Sequence, residues 1–348
     1  MLRTNGKRFE KDCEIPFMLS LSKHSWIFRS ALLIGFLLPA FVSAQDRLRI
    51  AYAGGGSTAP VWIIQERGLL KKYNISAEII QINASPAALQ AMVAGDVDLN
   101  VTGVTNLVSA RLAGIDVVML MAVMPTFPNQ LVALKSINSV QELKGKSGGI
   151  NRFGASTDLG IRLVLRRFGL DPEKDVKLIS VGGTAQAVAA MANGLIQFGI
   201  STEPFVREAE KIGFKTLVDV GALKIPFHWA GVLSRESTIK ARRPVFTRFV
   251  RAMTEAIHIY KTEKEWTKVV ISKYLRTNDA ENLERSYNSF RPLFPEAPHP
   301  TVDGVKTLLD DLSGKIPKAG DANPKEFVDA SFVDEMERSG FIKQLYAK

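Results

Sequence analysis

From Arg47 onward, short apolar runs alternate with segments whose apolar residues recur at helical spacing. Leu48–Ala53 predicts a first strand, followed by the turn Gly54-Gly-Gly-Ser-Thr-Ala-Pro60, with Ser57 or Thr58 as helix cap and Pro60 in the first helical turn. Helix is expected over Val61–Tyr73, strand over Ser76–Ile82, helix over Thr105–Leu112 and strand over Val117–Val123. A strand within Asn129–Leu134 leads through Ser136–Gly145 into a second series. That series runs strand Lys146–Asn151, loop Arg152–Ser156, helix Thr157–Phe168 and strand Lys177–Val181. Phe227–Ser234 is apolar again and is expected to carry the chain back. Beyond it, Arg242–Lys348 is helical in pattern, interrupted between Pro292 and Pro300 and at Pro317. Strands alternating with amphipathic helices predict an α/β fold with mainly parallel sheet.

The pattern also repeats. Ser85-Pro-Ala-Ala-Leu-Gln-Ala-Met-Val-Ala-Gly95 and the following Asp96–Thr102 are echoed 99 positions later by Thr184–Gly194 and Leu195–Ser201. Ala88, Ala91, Met92 and Gly95 recur as Ala187, Ala190, Met191 and Gly194. Each copy reads as a helix begun by a hydroxyl residue, stopped by glycine, then a short strand ending in Thr or Ser. Two matched units imply two lobes with something held between them. The expected division is a leader at 1–44, a discontinuous first lobe at 45–133 plus 231–348, and a second lobe at 134–230, with the C-terminal helices buttressing the first lobe.

Ser30–Val42 is a 13-residue run without charge behind Lys23 and Arg29, and Val42-Ser43-Ala44 supplies the small residues of a signal-peptidase site. The run falls short of the ~20 residues of a membrane span, so export to the periplasm with cleavage near Ala44 is expected. Residues 1–17 are longer and more polar than a signal needs, and Met18 offers a second start. The single cysteine, Cys13, leaves with the leader, so the exported chain has no disulfide, thiol nucleophile or Cys-held metal. Removing the leader's six basic and three acidic residues from 45 and 35 leaves 39 and 32, a net +7. The densest basic pairs, Arg166-Arg167 and Arg242-Arg243, have no interleaved aromatics, which argues against nucleic acid.

Gly54-Gly-Gly-Ser-Thr-Ala59 fits the loose dinucleotide fingerprint G-x-G-x-x-A, but the second strand has Glu78 at its start and Asn83 at its end, where a ribose would need an acid. Glycines that bring backbone N–H groups close to a ligand at a helix start account for the loop as well. The same device recurs at Phe153-Gly-Ala-Ser-Thr157 and Gly182-Gly-Thr184. Ligands of open α/β sheets gather at the carboxyl ends of strands, and the partial positive charge of helix starts suits a carboxylate, sulfonate or nitrate. Simple helix capping is the plain alternative. Trp62, Phe127, Phe153 and Trp229 are candidate pocket walls or core residues. Glu203 is the acid placed to face a cleft, either toward a ligand ammonium or as a cap or bridge within its own lobe, and Asp158 would oppose an anion. His228, His258 and His299 lack metal-ligand spacing, and the chain has no G-x-S-x-G, P-loop or evident carboxylate pair. No enzyme activity, metal or cofactor is expected.

Gly68-Leu-Leu-Lys-Lys-Tyr-Asn-Ile-Ser76, Ala94-Gly-Asp-Val-Asp-Leu99, Glu142-Leu-Lys-Gly-Lys146 and Phe168-Gly-Leu-Asp-Pro172, in this order and with the Ala-rich second repeat, resemble the solute-binding proteins of nitrate/sulfonate/taurine-type ABC importers. The likeness covers residues 47–275. It implies a two-lobed type 2 periplasmic binding protein with two crossing hinge strands, closing on a small, anionic solute by hinge motion. It further implies a monomer whose partners are that solute and an inner-membrane permease. Carried over by position, Gly55, Gly56, Ser57, Thr102, Gly103, Phe153, Ser156 and Thr157 would line the cleft, with Gly183 and Glu203 as further candidates. Gln197 stands where relatives carry an acid, at a position expected outside the cleft. The alternatives are a clamp that serves a sensor, or a binder of a pyrimidine or thiamine precursor or a related enzyme. The family name also covers a pyrimidine-making protein with a cysteine-rich iron motif, which this chain lacks.

Overall fold

The computed structural model describes residues 46–82 and 85–347. The expected leader, with Cys13 and the signal-peptidase site, and Asn83 lie outside them. The strands are β1 (Asp46–Tyr52), β2 (Ile75–Gln81), β3 (Leu99–Thr102), β4 (Val117–Met124), β5 (Gln130–Leu134), β6 (Ser147–Ile150), β7 (Lys177–Ser180), β8 (Phe198–Ser201), β9 (Phe214–Asp219) and β10 (Ala230–Arg235). They form two five-stranded sheets, ordered β2-β1-β3-β10-β4 and β7-β6-β8-β5-β9. The helices that matter most for the site are α1 (Ala59–Glu66), α2 (Leu69–Lys72), α3 (Ser85–Ala94), α4 (Thr105–Leu112), α5 (Ser156–Arg167), α6 (Thr184–Ala192), α7 (Phe205–Lys211), α8 (Glu236–Thr262), α9 (Lys264–Leu275), α10 (Ala280–Phe290) and α11 (Val302–Ser313).

The two sheets have one topology. In each, the first three strands pair in parallel, and the fourth strand in spatial order pairs antiparallel with both neighbours. That antiparallel strand is the one delivered from the other lobe: β5 reaches the second sheet directly after β4, and β10 reaches the first directly after β9. Each sheet is therefore mainly parallel in strand direction, as the pattern predicts, with one antiparallel strand supplied by a chain crossing. β5 already pairs with Ser201 at Gln130, so the first crossing is 125–129, upstream of the expected boundary at 134.

The sequence repeat occupies equivalent places. α3 leads into β3 and α6 into β8, each the middle strand of its sheet. Both glycines that stop these helices have left-handed backbone, φ +83° at Gly95 and +69° at Gly194, a conformation that side-chain-bearing residues seldom adopt. Ala88 and Met92 are buried beneath one sheet, and Ala187, Ala190 and Met191 beneath the other. The expected helix over 61–73 is instead two helices, α1 and α2, because Gly68 takes a left-handed φ of +62° between them. α7 and β9, between the second repeat and the return strand, have no counterpart in the pattern reading.

One apolar cluster joins β1, β3, β4 and β10 to α1 and the long α8, so the C-terminal region covers the first sheet. A second cluster runs from α4 and α11 through the crossings into Leu131, Ile150 and Phe198 of the second sheet. Phe127 of the first crossing stacks on Phe227 of the second, centroids 4.1 Å apart and planes 11° from parallel. Both rings are fully buried, and Trp229 meets them edge-on at 5.9 and 6.4 Å. The Trp229 backbone N–H donates to the Met124 carbonyl at 2.8 Å, tying the second crossing to the end of β4. Among the described residues, no helix is long and apolar enough to cross a membrane.

Phe127→Ala should cost about 3–5 kcal/mol of unfolding free energy, since it removes a fully buried ring from the crossing. Val269→Ala, at a side chain that is mostly exposed, should change it by less than ~0.5 kcal/mol. Denaturant unfolding of both variants checks the contrast, and equal losses would deny the stack a structural role.

Candidate functional site

The carboxyl ends of β1, β3, β6 and β8 open toward one cleft between the sheets, which has two chambers. The inner chamber, about 260 Å³, is lined by residues from the β1–α1 turn (Ser57, Thr58), the start of α3 (Ser85), the β3–α4 turn (Gly103, Asn106), the loop 151–157 and Trp229. The outer chamber, about 580 Å³, shares Gly54, Ser57, Asn151, Gly182 and Trp229 with it and extends to Trp62, Glu203 and Tyr274. Of the expected residues, Ser57, Gly103, Phe153, Ser156 and Thr157 line the inner chamber. Gly55, Gly56, Gly183 and Glu203 line the outer one.

Thr102 lines neither chamber. It is buried, with its hydroxyl hydrogen-bonded to that of Ser85 across 2.9 Å, so it positions the chamber wall. Gly103 is where the lobes touch: a Cβ there would sit 3.2 Å from Ser156 Oγ and 3.4 Å from Ser85 Oγ. At Gly56 a Cβ would fall 2.3 Å from the Phe290 ring, so the turn lies directly against α10.

The hydroxyls differ in their freedom. Thr58 stands at the start of α1, but its hydroxyl donates back to the Ala53 carbonyl and does not cap the helix. Thr157 Oγ1 accepts the Asn151 N–H at 3.1 Å and so holds the loop. Ser57 and Ser156 make no side-chain hydrogen bond among the described residues, which leaves both hydroxyls for a ligand.

Charge is distributed unevenly. Among the described residues that line the inner chamber, none is Asp or Glu, and Arg152 is the cation. Asp158, which would oppose an anion, is turned away: Oδ2 accepts the Gly154 N–H at 2.8 Å and Oδ1 accepts Arg162 Nε at 2.5 Å. Arg162 also pairs with Glu173. α5 thus presents its positive end to the chamber with its own acid already compensated.

Glu203 reaches beyond its own lobe. It bridges the lobes: Oε1 accepts from Arg285 Nε at 2.9 Å and Nη2 at 2.6 Å, and Arg285 sits on α10. Arg285 Nη1 also donates to Glu210 Oε2 at 2.9 Å, and beside it Arg207 pairs with Glu281 at 2.5 Å. Burial raises the Glu203 carboxyl above its ordinary range, and the Arg285 guanidinium opposes that shift. Trp62 stacks on Tyr274 at 4.9 Å and walls the outer chamber, whereas Phe127 belongs to the crossing. The pattern reading omitted Ser85, Asn106, Asn151, Arg152 and Arg285. Ser85 opens the repeat and Arg152 begins the glycine loop, so both carried a signal. Arg285 carried none, because its partners lie 75 and 82 positions away.

Residues 56–263 match the family model described as NMT1/THI5 like. YtlA of Bacillus subtilis strain 168, a binding protein by name, is 21% identical over 272 residues, 75% of this chain and 81% of its own. The periplasmic aliphatic sulphonate binding protein SsuA of Escherichia coli superposes with TM-score 0.69 at 19% identity, covering 81% of this chain and 97% of its own. The periplasmic nitrate-binding protein NrtA of Synechocystis PCC 6803 gives 0.71 at 13% identity, covering 85% and 89%. The fold is that of these binding proteins.

If Arg285 ties the lobes, Arg285→Ala should cost about 1–3 kcal/mol, less than a fully buried pair because the guanidinium is partly exposed. Combined with Glu203→Gln the losses should fall short of their sum. Strictly additive losses in denaturant unfolding would mean the two groups do not interact.

Proposed function

The chain belongs to the NMT1/THI5-like family, and from that premise we propose that it is the solute-binding component of an ABC-type importer, taking a small anionic solute between its lobes. The observation that carries the reading is the inner chamber: lined by Arg152, by the free hydroxyls of Ser57 and Ser156 and by helix starts, with no carboxylate among its described lining residues. An anion there would find hydroxyl, guanidinium and helix-start donors on the chamber wall and meet no like charge among its described lining residues. The names of SsuA and NrtA, for an aliphatic sulphonate and for nitrate, agree with an anion in this fold.

The mechanism is binding and closure. The solute contacts Ser57 of one lobe and Ser156 of the other, so it favours the arrangement in which both reach it. The closed surface is what an inner-membrane permease would recognise. The exported chain works in the periplasm, as a monomer, without covalent chemistry.

Native mass spectrometry of the chain from Gln45, followed by thermal-shift screening of sulfonates, nitrate, carboxylates and pyrimidines, tests the reading. A retained small anion, or stabilisation by one anionic class, is the expected outcome. Stabilisation by pyrimidines alone would favour a precursor binder, and stabilisation by none would remove the solute-receptor reading. Ser156→Ala should weaken the identified anion by about 1–2 kcal/mol with the melting temperature of the free protein unchanged; undiminished affinity would take this loop out of the site.

A further inference from the structure

We propose that the solute is an organic anion with a flat apolar body, its charged end met by Arg152 and its body covered by Phe153 and Trp229. This deepens the anion-receptor reading and rests on it.

Arg152 and Phe153 are consecutive at the tip of the loop 151–157, and both line the inner chamber. Arg152 is exposed, and its guanidinium has no hydrogen-bond or ion-pair partner among the described residues. Neighbouring guanidinium groups are engaged: Arg162 with Asp158, Arg166 with Asp311, Arg207 with Glu281 and Arg285 with Glu203. An unpaired guanidinium beside a chamber without carboxylates is a receptor for an anion from outside. Its planar fork matches a carboxylate or sulfonate through two parallel hydrogen bonds.

Phe153 has the complementary oddity. It is 58% exposed, and of the large apolar side chains left on the surface it is the one that lines this cleft. Leaving a phenyl ring in water has no packing benefit to the loop itself; laid over a ligand it gains both area burial and ring stacking. Trp229 lines both chambers from the second crossing and is held in place by Phe127, Phe227 and the Met124 carbonyl. An exposed ring from one lobe and a ring fixed at the crossing make a slot for a flat group.

The volume points the same way. About 260 Å³ holds roughly nine waters at ~30 Å³ each. A four-atom inorganic anion leaves most of that space to water, whereas an aryl carboxylate or sulfonate fills most of it.

Titration calorimetry with benzenesulfonate, benzoate, methanesulfonate, acetate and neutral benzamide separates the parts. The aryl anions should bind about 10–100-fold more tightly than their methyl counterparts, and benzamide weakly. Phe153→Ala should erase the aryl preference. Arg152→Gln should weaken all four anions about tenfold or more, with Arg152→Lys between it and the wild type. Both positions are exposed loop residues, and unchanged circular dichroism confirms that the variants fold. Equal binding of aryl and methyl anions, untouched by Phe153→Ala, would overturn the flat-body inference and leave the anion receptor standing. Benzamide equal to benzoate would overturn the role of Arg152. Binding of none of the four anions would overturn the inference and the anion-receptor reading together.

Discussion

The stack of Phe127 on Phe227 joins the two chain crossings on which both lobes depend. Each crossing delivers the antiparallel strand that the receiving sheet needs, so neither sheet is complete without them. The buried pair is part of a packed core, and under the proposed function it is where a hinge would lie. Trp229 lies against that pair and also forms a wall of both chambers. The hinge and the binding surface therefore share a side chain. Next to it, His228 is fully buried and its Nε2 accepts the Thr301 N–H at 3.0 Å, which anchors the second crossing to α11. Burial lowers the His228 pKa, against the opposing hydrogen bond to Thr301, and so favours the neutral ring that can accept that bond.

This arrangement limits how the lobes can move. Strands β5 and β10 are hydrogen-bonded on both edges, so closure cannot be absorbed inside a sheet. It must fall on the short segments between β4 and β5 and between β9 and β10. Under the proposed function, closure would then be a rotation about the aromatic pair, and Gly103 of one lobe already lies against Ser156 of the other. The absence of a side chain at Gly103 is what lets that approach reach van der Waals distance.

How much of this was legible in the sequence depends on range. The helix at Thr105–Leu112 appears with the bounds its pattern predicts, and the repeat marks the central strand of each sheet, because both signals are local and periodic. Loops with glycine, hydroxyl and a following helix were equally readable, and nine of the ten expected site residues line the cleft. Thr102 misled because a hydroxyl at a strand end can serve the wall as readily as the ligand. Phe214-Lys-Thr-Leu-Val-Asp219 was missed as a strand, being short and only partly alternating. The partner of Glu203 was out of reach for a different reason: an ion pair spanning 82 positions leaves no trace in periodicity.

The interlobe ion pairs and the chamber divide the work of closure between them. Arg285 with Glu203 and Glu210, Arg207 with Glu281, and Arg166 with Asp311 all cross between lobes, and apart from the buried Glu203 their groups are partly exposed. Pairs of this kind contribute ~0–1 kcal/mol each and weaken with salt. Together they supply less than the ~5.5 kcal/mol needed to carry a two-state equilibrium from 1:99 to 99:1. They can guide the lobes into register, but they leave room for a ligand to decide the population. A ligand earns that difference only by contacts that exist in the closed form alone. Ser57 and Ser156 lie on opposite lobes, and Phe153 of the second lobe lines the same chamber as Trp229. On the proposed function, the energy that selects the solute would be the same energy that closes the protein.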